Sequence, residues 1–239
     1  EVPGGGDQSV HRGAALYVEG AERVQISRCS FESLDGSAVL FSRFCRDSSV
    51  TDSDFSLLGS AAVIVLGEAE LIDGTAGNYP NRTLISGNLI RDSGVFSKNY
   101  LGGAIFQALG ARSIIRGNII YNTPRSCLTF NDNFGGGDLV ESNIMFNCNR
   151  ESSDTGNVYT YNRLPFLTSE RDGSPSLTAA DRIERYGLFI QNYGSCWALD
   201  HDDGSSWYQD YSNVQVYAGA KQSAFATGGH SKSKSFFSL

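Results

Sequence analysis

Apolar residues along this chain come in short runs, many of them β-branched or aromatic, separated by Gly, Asn, Asp and Ser. One phrase returns within that pattern. Ser86-Gly87-Asn88-Leu89-Ile90 is followed by Arg116-Gly117-Asn118-Ile119-Ile120 and by Glu141-Ser142-Asn143-Ile144-Met145. Weaker echoes stand at Tyr186-Gly187-Leu188-Phe189-Ile190 and Ser212-Asn213-Val214-Gln215-Val216, and Ser30-Phe31 and Asp54-Phe55 close similar runs upstream. Successive echoes lie roughly 24 to 44 residues apart, the spacing expected of a solenoid. A polar residue, Asn and then aliphatics reads as a turn entering a short strand. Repetition stacks such strands in parallel, each coil burying its apolar face against the next. The pattern predicts an all-β, single-stranded parallel β-helix. Asn suits the turn because it tolerates the left-handed backbone region, and its amide can bond the equivalent Asn of the next coil. Asn88, Asn118 and Asn143 are therefore read as structural.

The 239 residues suffice for one β-helix domain, 1–239, and the 27 Gly and five Pro fit a turn-rich chain. The one passage with helical character, Thr178 to Arg185, is short enough to be a loop turn. The period breaks between Asn149 and Ala180, which predicts a loop insertion near 150–180 projecting from one face, where binding surfaces commonly form. The chain opens Glu1-Val2-Pro3 and closes on Phe236-Phe237-Ser238-Leu239 without evident caps, so it reads as a segment of a longer solenoid. A net charge of −7 argues against nucleic acid, and no apolar run is long enough to span a membrane. The five Cys lack zinc-site spacing. Cys127 with Cys148, and Cys29 with Cys45, could each pair as a disulfide or pack as buried thiols. Asn81-Arg82-Thr83 is a glycosylation sequon, used if the protein is secreted.

The densest chemistry lies in Asp200-His201-Asp202-Asp203-Gly204-Ser205-Ser206-Trp207-Tyr208. Asp200, Asp202 and Asp203 could hold a hard cation such as calcium, or one could keep a proton and act as an acid. Alternation along a strand would put Asp200 and Asp202 on one face. A solvated acidic turn is the plainer reading. Flanking carboxylates would raise the pKa of His201. Arg150 and Arg163, near Glu151 and Asp154, could grip a uronate carboxylate, although such clusters are more often ordinary ion pairs. From the interruption onward the chain carries seven of its eleven Tyr and both Trp. Sugar rings stack on such faces, so Tyr159, Tyr161, Trp207 and Tyr208 are candidate glycan contacts, with filling of the coil interior as the alternative.

Asn131-Asp132-Asn133-Phe134-Gly135-Gly136-Gly137, Arg150-Glu151-Ser152-Ser153-Asp154 and Asp200-His201-Asp202-Asp203-Gly204-Ser205 together resemble a group of large extracellular proteins. These are right-handed β-helix proteins of the pectate-lyase-like superfamily. The resemblance implies a right-handed coil and a polysaccharide or glycoprotein glycan as partner, at a cell surface or outside the cell. Enzymes of that superfamily combine calcium-binding carboxylates with a basic residue that abstracts a proton. Here Thr155 and Asn162 stand where the group carries His and Asp. Two readings follow. The first is a non-catalytic glycan-binding or structural module of a surface assembly, with neighbouring copies or other chains as partners. The alternative is a calcium-assisted lyase or a glycoside hydrolase using Asp200, Asp202 and Asp203, with Arg150 and Arg163 holding substrate and His201 or Lys221 moving a proton.

Overall fold

The computed structural model describes residues 10–68, 77–97, 100–131, 135–161, 166–168, 175–191, 197–202, 205, 207–217, 219–222 and 232–234. Each coil adds one strand in turn to three all-parallel sheets. The first sheet stacks Leu16–Glu22, Val39–Arg46, Val63–Leu66, Ile105–Ala108, Leu128–Asn131, Val158–Tyr161, Trp197–His201 and Gly219–Gln222. The second begins with Gln25–Ser27 and runs through Leu84–Ser86, Leu139–Glu141, Arg182–Arg185 and Tyr208–Tyr211. The third runs from Ser30–Leu34 to Val214–Val216. No α-helix occurs among the described residues; Tyr100–Gly102 makes one 3-10 turn. The predicted all-β parallel β-helix is the observed fold.

Strict in-register pairing turns each inward position into a ladder along the solenoid. On the second sheet, Val50, Ile85, Ile115 and Val140 succeed one another coil by coil. On the third, Phe31, Phe55, Ile90, Ile120, Met145 and Phe189 do the same. The Phe31 and Phe55 rings stack 4.9 Å apart. Apart from the partly buried Phe31, these side chains are at most 2% exposed, and each contributes about 1.5–3 kcal/mol by leaving water.

The corner between the second and third sheets explains the repeated phrase, with the two roles divided differently from the sequence reading. The left-handed backbone belongs to the residue before the Asn: Asp52, Gly87, Gly117, Ser142, Tyr186 and Ser212 all have φ between 51° and 69°. The Asn does the bonding. Asn118 Oδ1 accepts 3.0 Å bonds from both Asn88 N and Asn88 Nδ2, and Asn143 Oδ1 accepts the same pair from Asn118. Asn88 Oδ1 in turn accepts the Ser53 amide. Gly187 holds the next position, where an added Cβ would meet the Phe189 ring at 2.5 Å, and Asn213 Oδ1 resumes the series by accepting Gly187 N at 2.8 Å. Replacing Asn118 with Ala strips partners from Asn88 N–H and Nδ2 and from the Ile85 carbonyl, all out of reach of water. Orphaned buried groups cost about 1–3 kcal/mol each, so a loss of about 3 kcal/mol is expected, read as a lower urea midpoint.

The stretch 150–180 divides around a regular strand, because Val158–Tyr161 stays in register between Leu128–Asn131 and Trp197–His201. The chain leaves the coils on both sides of it. Residues 147–157 are tied down by a Cys127–Cys148 disulfide with Cα atoms 5.6 Å apart. Beyond the strand, Phe166–Thr168 pairs antiparallel with Pro175–Ala179. Thr178 to Arg185, read as a loop turn, instead holds the end of that strand and the whole of Arg182–Arg185. Cys29 and Cys45 do not pair: Cys29 is exposed, and Cys45 is a buried free thiol whose Sγ–H donates to the Val18 and Ser42 carbonyls.

Candidate functional site

The outward ladder of the first sheet changes character along the solenoid. It reads Tyr17, Leu40, Ile64, Phe106, Thr129, Tyr159, Asp200. A second outward row reads Glu19, Ser42, Leu66, Ala108, Asn131, Tyr161. The aliphatic middle is covered by Val10 and Leu101, which pack with Leu40, Ile64, Leu66 and Phe106. Arg12 fixes that cover, donating to the Leu66 carbonyl at 3.0 Å and the Gly67 carbonyl at 2.7 Å. From Thr129 onward the face turns polar, aromatic and acidic, at the coils where the chain makes its longest excursions.

Tyr159, Tyr161, Asp200 and Asp202 gather there. Tyr159 Oη donates to Asp202 Oδ2 at 3.1 Å, and the Arg125 guanidinium lies 5.8 Å from the Tyr159 ring centre. Asp200 and Tyr159 are both buried, Tyr159 within the covered apolar cluster, so its ring is not an open contact; Asp202 and Tyr161 are half-buried. Asn131 Oδ1, on the same face, is buried without a hydrogen-bond partner. Lys221 is the register partner of Asp200 on the following strand. Arg150 is exposed on the turn after the disulfide, where its amide bonds the Thr123 carbonyl. Arg163 and Asp203 lie outside the described residues. Thr155 is buried and donates to Asn149 Oδ1 at 2.6 Å, so it braces the loop from within.

Strand alternation splits the acid–His–acid turn. Asp200 faces outward, whereas His201 points into the solenoid and is completely buried. Tyr208 is buried there as well, stacked on His201 with ring centres 4.4 Å apart. Tyr208 is therefore interior filling and not a glycan contact, because no part of its ring reaches the surface. Trp207, at the preceding corner, is half-buried. Asn81 is 1% exposed with its amide nitrogen buried. That placement leaves no room for a glycan on the folded chain, which corrects the reading of the sequon.

The interior around His201 carries charges that sequence inspection missed. His201 Nε2 meets Asp210 Oδ2 at 2.7 Å, and Nδ1 meets Thr160 Oγ1 at 3.1 Å. Glu184 joins them: one ligand atom each from Glu184, His201 and Asp210 lie within 4.8 Å of one another. Next to this trio, Arg182 Nε donates to Asp138 Oδ2 at 2.8 Å, while Asp138 Oδ1 accepts from Ser113 N and Gln107 Nε2. Burial raises the Glu184 pKa, the adjacent Asp210 charge raises it further, and it comes to about 8. Burial alone would lower His201, but Asp210, Glu184 and Asp200 outweigh that and hold it at about 9. A signal for these residues existed. Two positions before each left-handed corner residue the chain reads Val50, Ile85, Ile115, Val140, and then Glu184 and Asp210.

No family model matches the sequence, and no curated protein matches it. Solved structures do. A glycoside hydrolase superposes with a TM-score of 0.66 at 14% identity, over 93% of this chain and 38% of that one. An alginate lyase from Paenibacillus sp. str. FPU-7 superposes with a TM-score of 0.53 at 11% identity, over 92% of this chain and 75% of that one. The chain thus spans well under half the length of the hydrolase, and at these identities the likeness to the glycoside hydrolase and to the alginate lyase is one of fold.

Proposed function

We propose that this chain is a glycan-binding module of an extracellular or cell-surface assembly, built on a β-helix and without catalytic activity of its own. The observation that carries the reading is the switch on the outer face of the first sheet. Aliphatic residues under cover give way to half-buried Tyr161, Asp202 and Arg125, with Tyr159 packed beneath them, in the coils flanked by the excursions. Aromatic faces offer sugar rings an apolar surface, and the carboxylate and guanidinium offer hydroxyls directional partners. Polysaccharide-named structures of the same fold support the class of ligand. The Cys127–Cys148 disulfide supports an oxidising, extracellular setting. The module reading rests on His201, the natural proton carrier of the acidic turn, being sealed inside the solenoid and so out of reach of a substrate.

Titration of the purified protein with uronate-containing and neutral polysaccharides tests this by calorimetry and by assay for cleavage. Binding without product is expected. Asp202→Asn keeps the side-chain shape while removing the charge, and should weaken binding about tenfold, the loss of about 1.4 kcal/mol expected of one charge-assisted hydrogen bond. Unchanged affinity in that variant would remove the site from this face.

One observation favours a hydrolase instead. Asp202, half-buried and bonded by Tyr159 Oη, is a carboxylate that a substrate could reach. Release of reducing sugar, abolished by Asp202→Asn, would decide for it. Unsaturated ends formed only with calcium would decide for a lyase, with Asp200 and Asp202 as ligands.

A further inference from the structure

We propose that Glu184, His201 and Asp210 form a buried site for one divalent transition-metal cation of the zinc class, lodged between the first and second sheets as a structural staple of the last coils. The inward ladder of the second sheet is aliphatic through Val50, Ile85, Ile115 and Val140 and then places two carboxylates, Glu184 and Asp210, directly in register. Like charges opposed in an apolar interior are held either by a compensating cation or by protons taken up in its place. Arg182 is nearby, its Nε engaged with Asp138 and its two Nη groups buried without a hydrogen-bond partner. Asp138, Glu184 and Asp210 therefore set three carboxylates against one guanidinium. With a neutral imidazole the cluster lacks two positive charges, the charge of one divalent ion.

The second, independent observation is the state of the ligand atoms. Glu184 is 0% exposed and neither of its carboxylate oxygens has a hydrogen-bond partner; Asp210 Oδ1 is also buried and unbonded. The two carboxylates converge on the His201 ring, with one ligand atom from each of the three residues lying within 4.8 Å of the others. Zinc needs its donors at about 2.0–2.2 Å, so the 2.7 Å His201–Asp210 contact opens by under about 1 Å to admit it. The imidazole is already oriented for ligation, because Thr160 Oγ1 sits 3.1 Å from Nδ1 as the outer partner that fixes a metal-binding ring. One nitrogen and two carboxylates suit zinc better than calcium, which takes six to eight oxygens. The Asp200 carboxylate is on the opposite face of the strand and is not a ligand.

The test is the metal content of the full chain, measured by mass spectrometry as isolated and again after unfolding in chelator and refolding with or without Zn²⁺. About one equivalent is expected in the wild type, with a melting temperature several degrees higher for the zinc-refolded protein than for the zinc-free one. Glu184→Gln preserves size and hydrogen-bonding capacity while removing a ligand charge. It should fold, keep less than a tenth of the metal, and melt at the same temperature with and without Zn²⁺. A Co²⁺-refolded wild type should show the visible absorption of a low-coordinate site, absent in Glu184→Gln. Failure of the folded wild type to retain Zn²⁺ after refolding would overturn the proposal and assign the balancing charge to protons. Equal retention in the wild type, Glu184→Gln and His201→Gln would overturn it as an adventitious ion only.

Discussion

Replacing Arg182 with Met is expected to destabilise the protein by about 4 kcal/mol, most of the stability of a marginal fold. Arg182 and Asp138 are 1% exposed at most, and their 2.8 Å bond joins the corner of one coil to the next through the second sheet. Forming such a pair gains little over an apolar replacement, because both ions give up water. Breaking one side costs far more, since the remaining ion stays dehydrated. Asp138 would keep only the Ser113 amide and Gln107, and Glu184 would lose the positive field that offsets its own burial. Adding Asp138→Asn to Arg182→Met should recover at least a third of the loss, because the orphaned charge disappears with it. Urea unfolding of the wild type, both single variants and the double variant closes the cycle. Additive losses would show that the two residues do not act as a pair.

The metal-free protein should lose stability as the pH rises from 6 to 9.5, by on the order of 6 kcal/mol, about half from each of two groups. Glu184 and His201 both have folded pKa values above their unfolded ones, about 8 against 4.5 and about 9 against 6.5. The native state therefore binds more protons than the unfolded chain across this window. Stability from these groups is complete below the unfolded values and drains away as the pH passes the folded ones. The physical origin is the stacked Glu184–Asp210 pair: above pH 8 both carboxylates are charged in the same dehydrated space, and above pH 9 His201 stops balancing them. Thermal melts of chelator-treated protein in matched buffers would show a falling midpoint. The slope should be shallower in Glu184→Gln, which cannot gain that charge. A midpoint that rises with pH would contradict the sign and place these side chains elsewhere.

The repeated phrase was enough to read the coil. Its period, its alternation of turn residues with paired aliphatics and the low Pro count are local properties, and a parallel ladder is the arrangement in which all of them are satisfied together. Even so, the phrase misassigned the strained residue. Asn88 and Asn118 bond along the ladder, while Gly87 and Gly117 turn the corner. The strand Val158–Tyr161 was hidden because it is flanked on both sides by residues without the period, and only its register with Leu128–Asn131 identifies it.

The acidic turn shows the same division. Alternation alone separated Asp200 from His201, a consequence of backbone geometry that any strand obeys. Which face is the interior is a property of the closed coil. Only the tertiary structure sent His201 and Tyr208 inside, buried Asn81, set Asp138 against Arg182 of the next coil and brought Asp210 to His201 and beside Glu184. The chain by itself determined that strands repeat, because propensity and periodicity act over a few neighbouring residues. The stacking of coils decided which charges meet and which are shut away from water, because residues tens of positions apart become neighbours only when the sheets form.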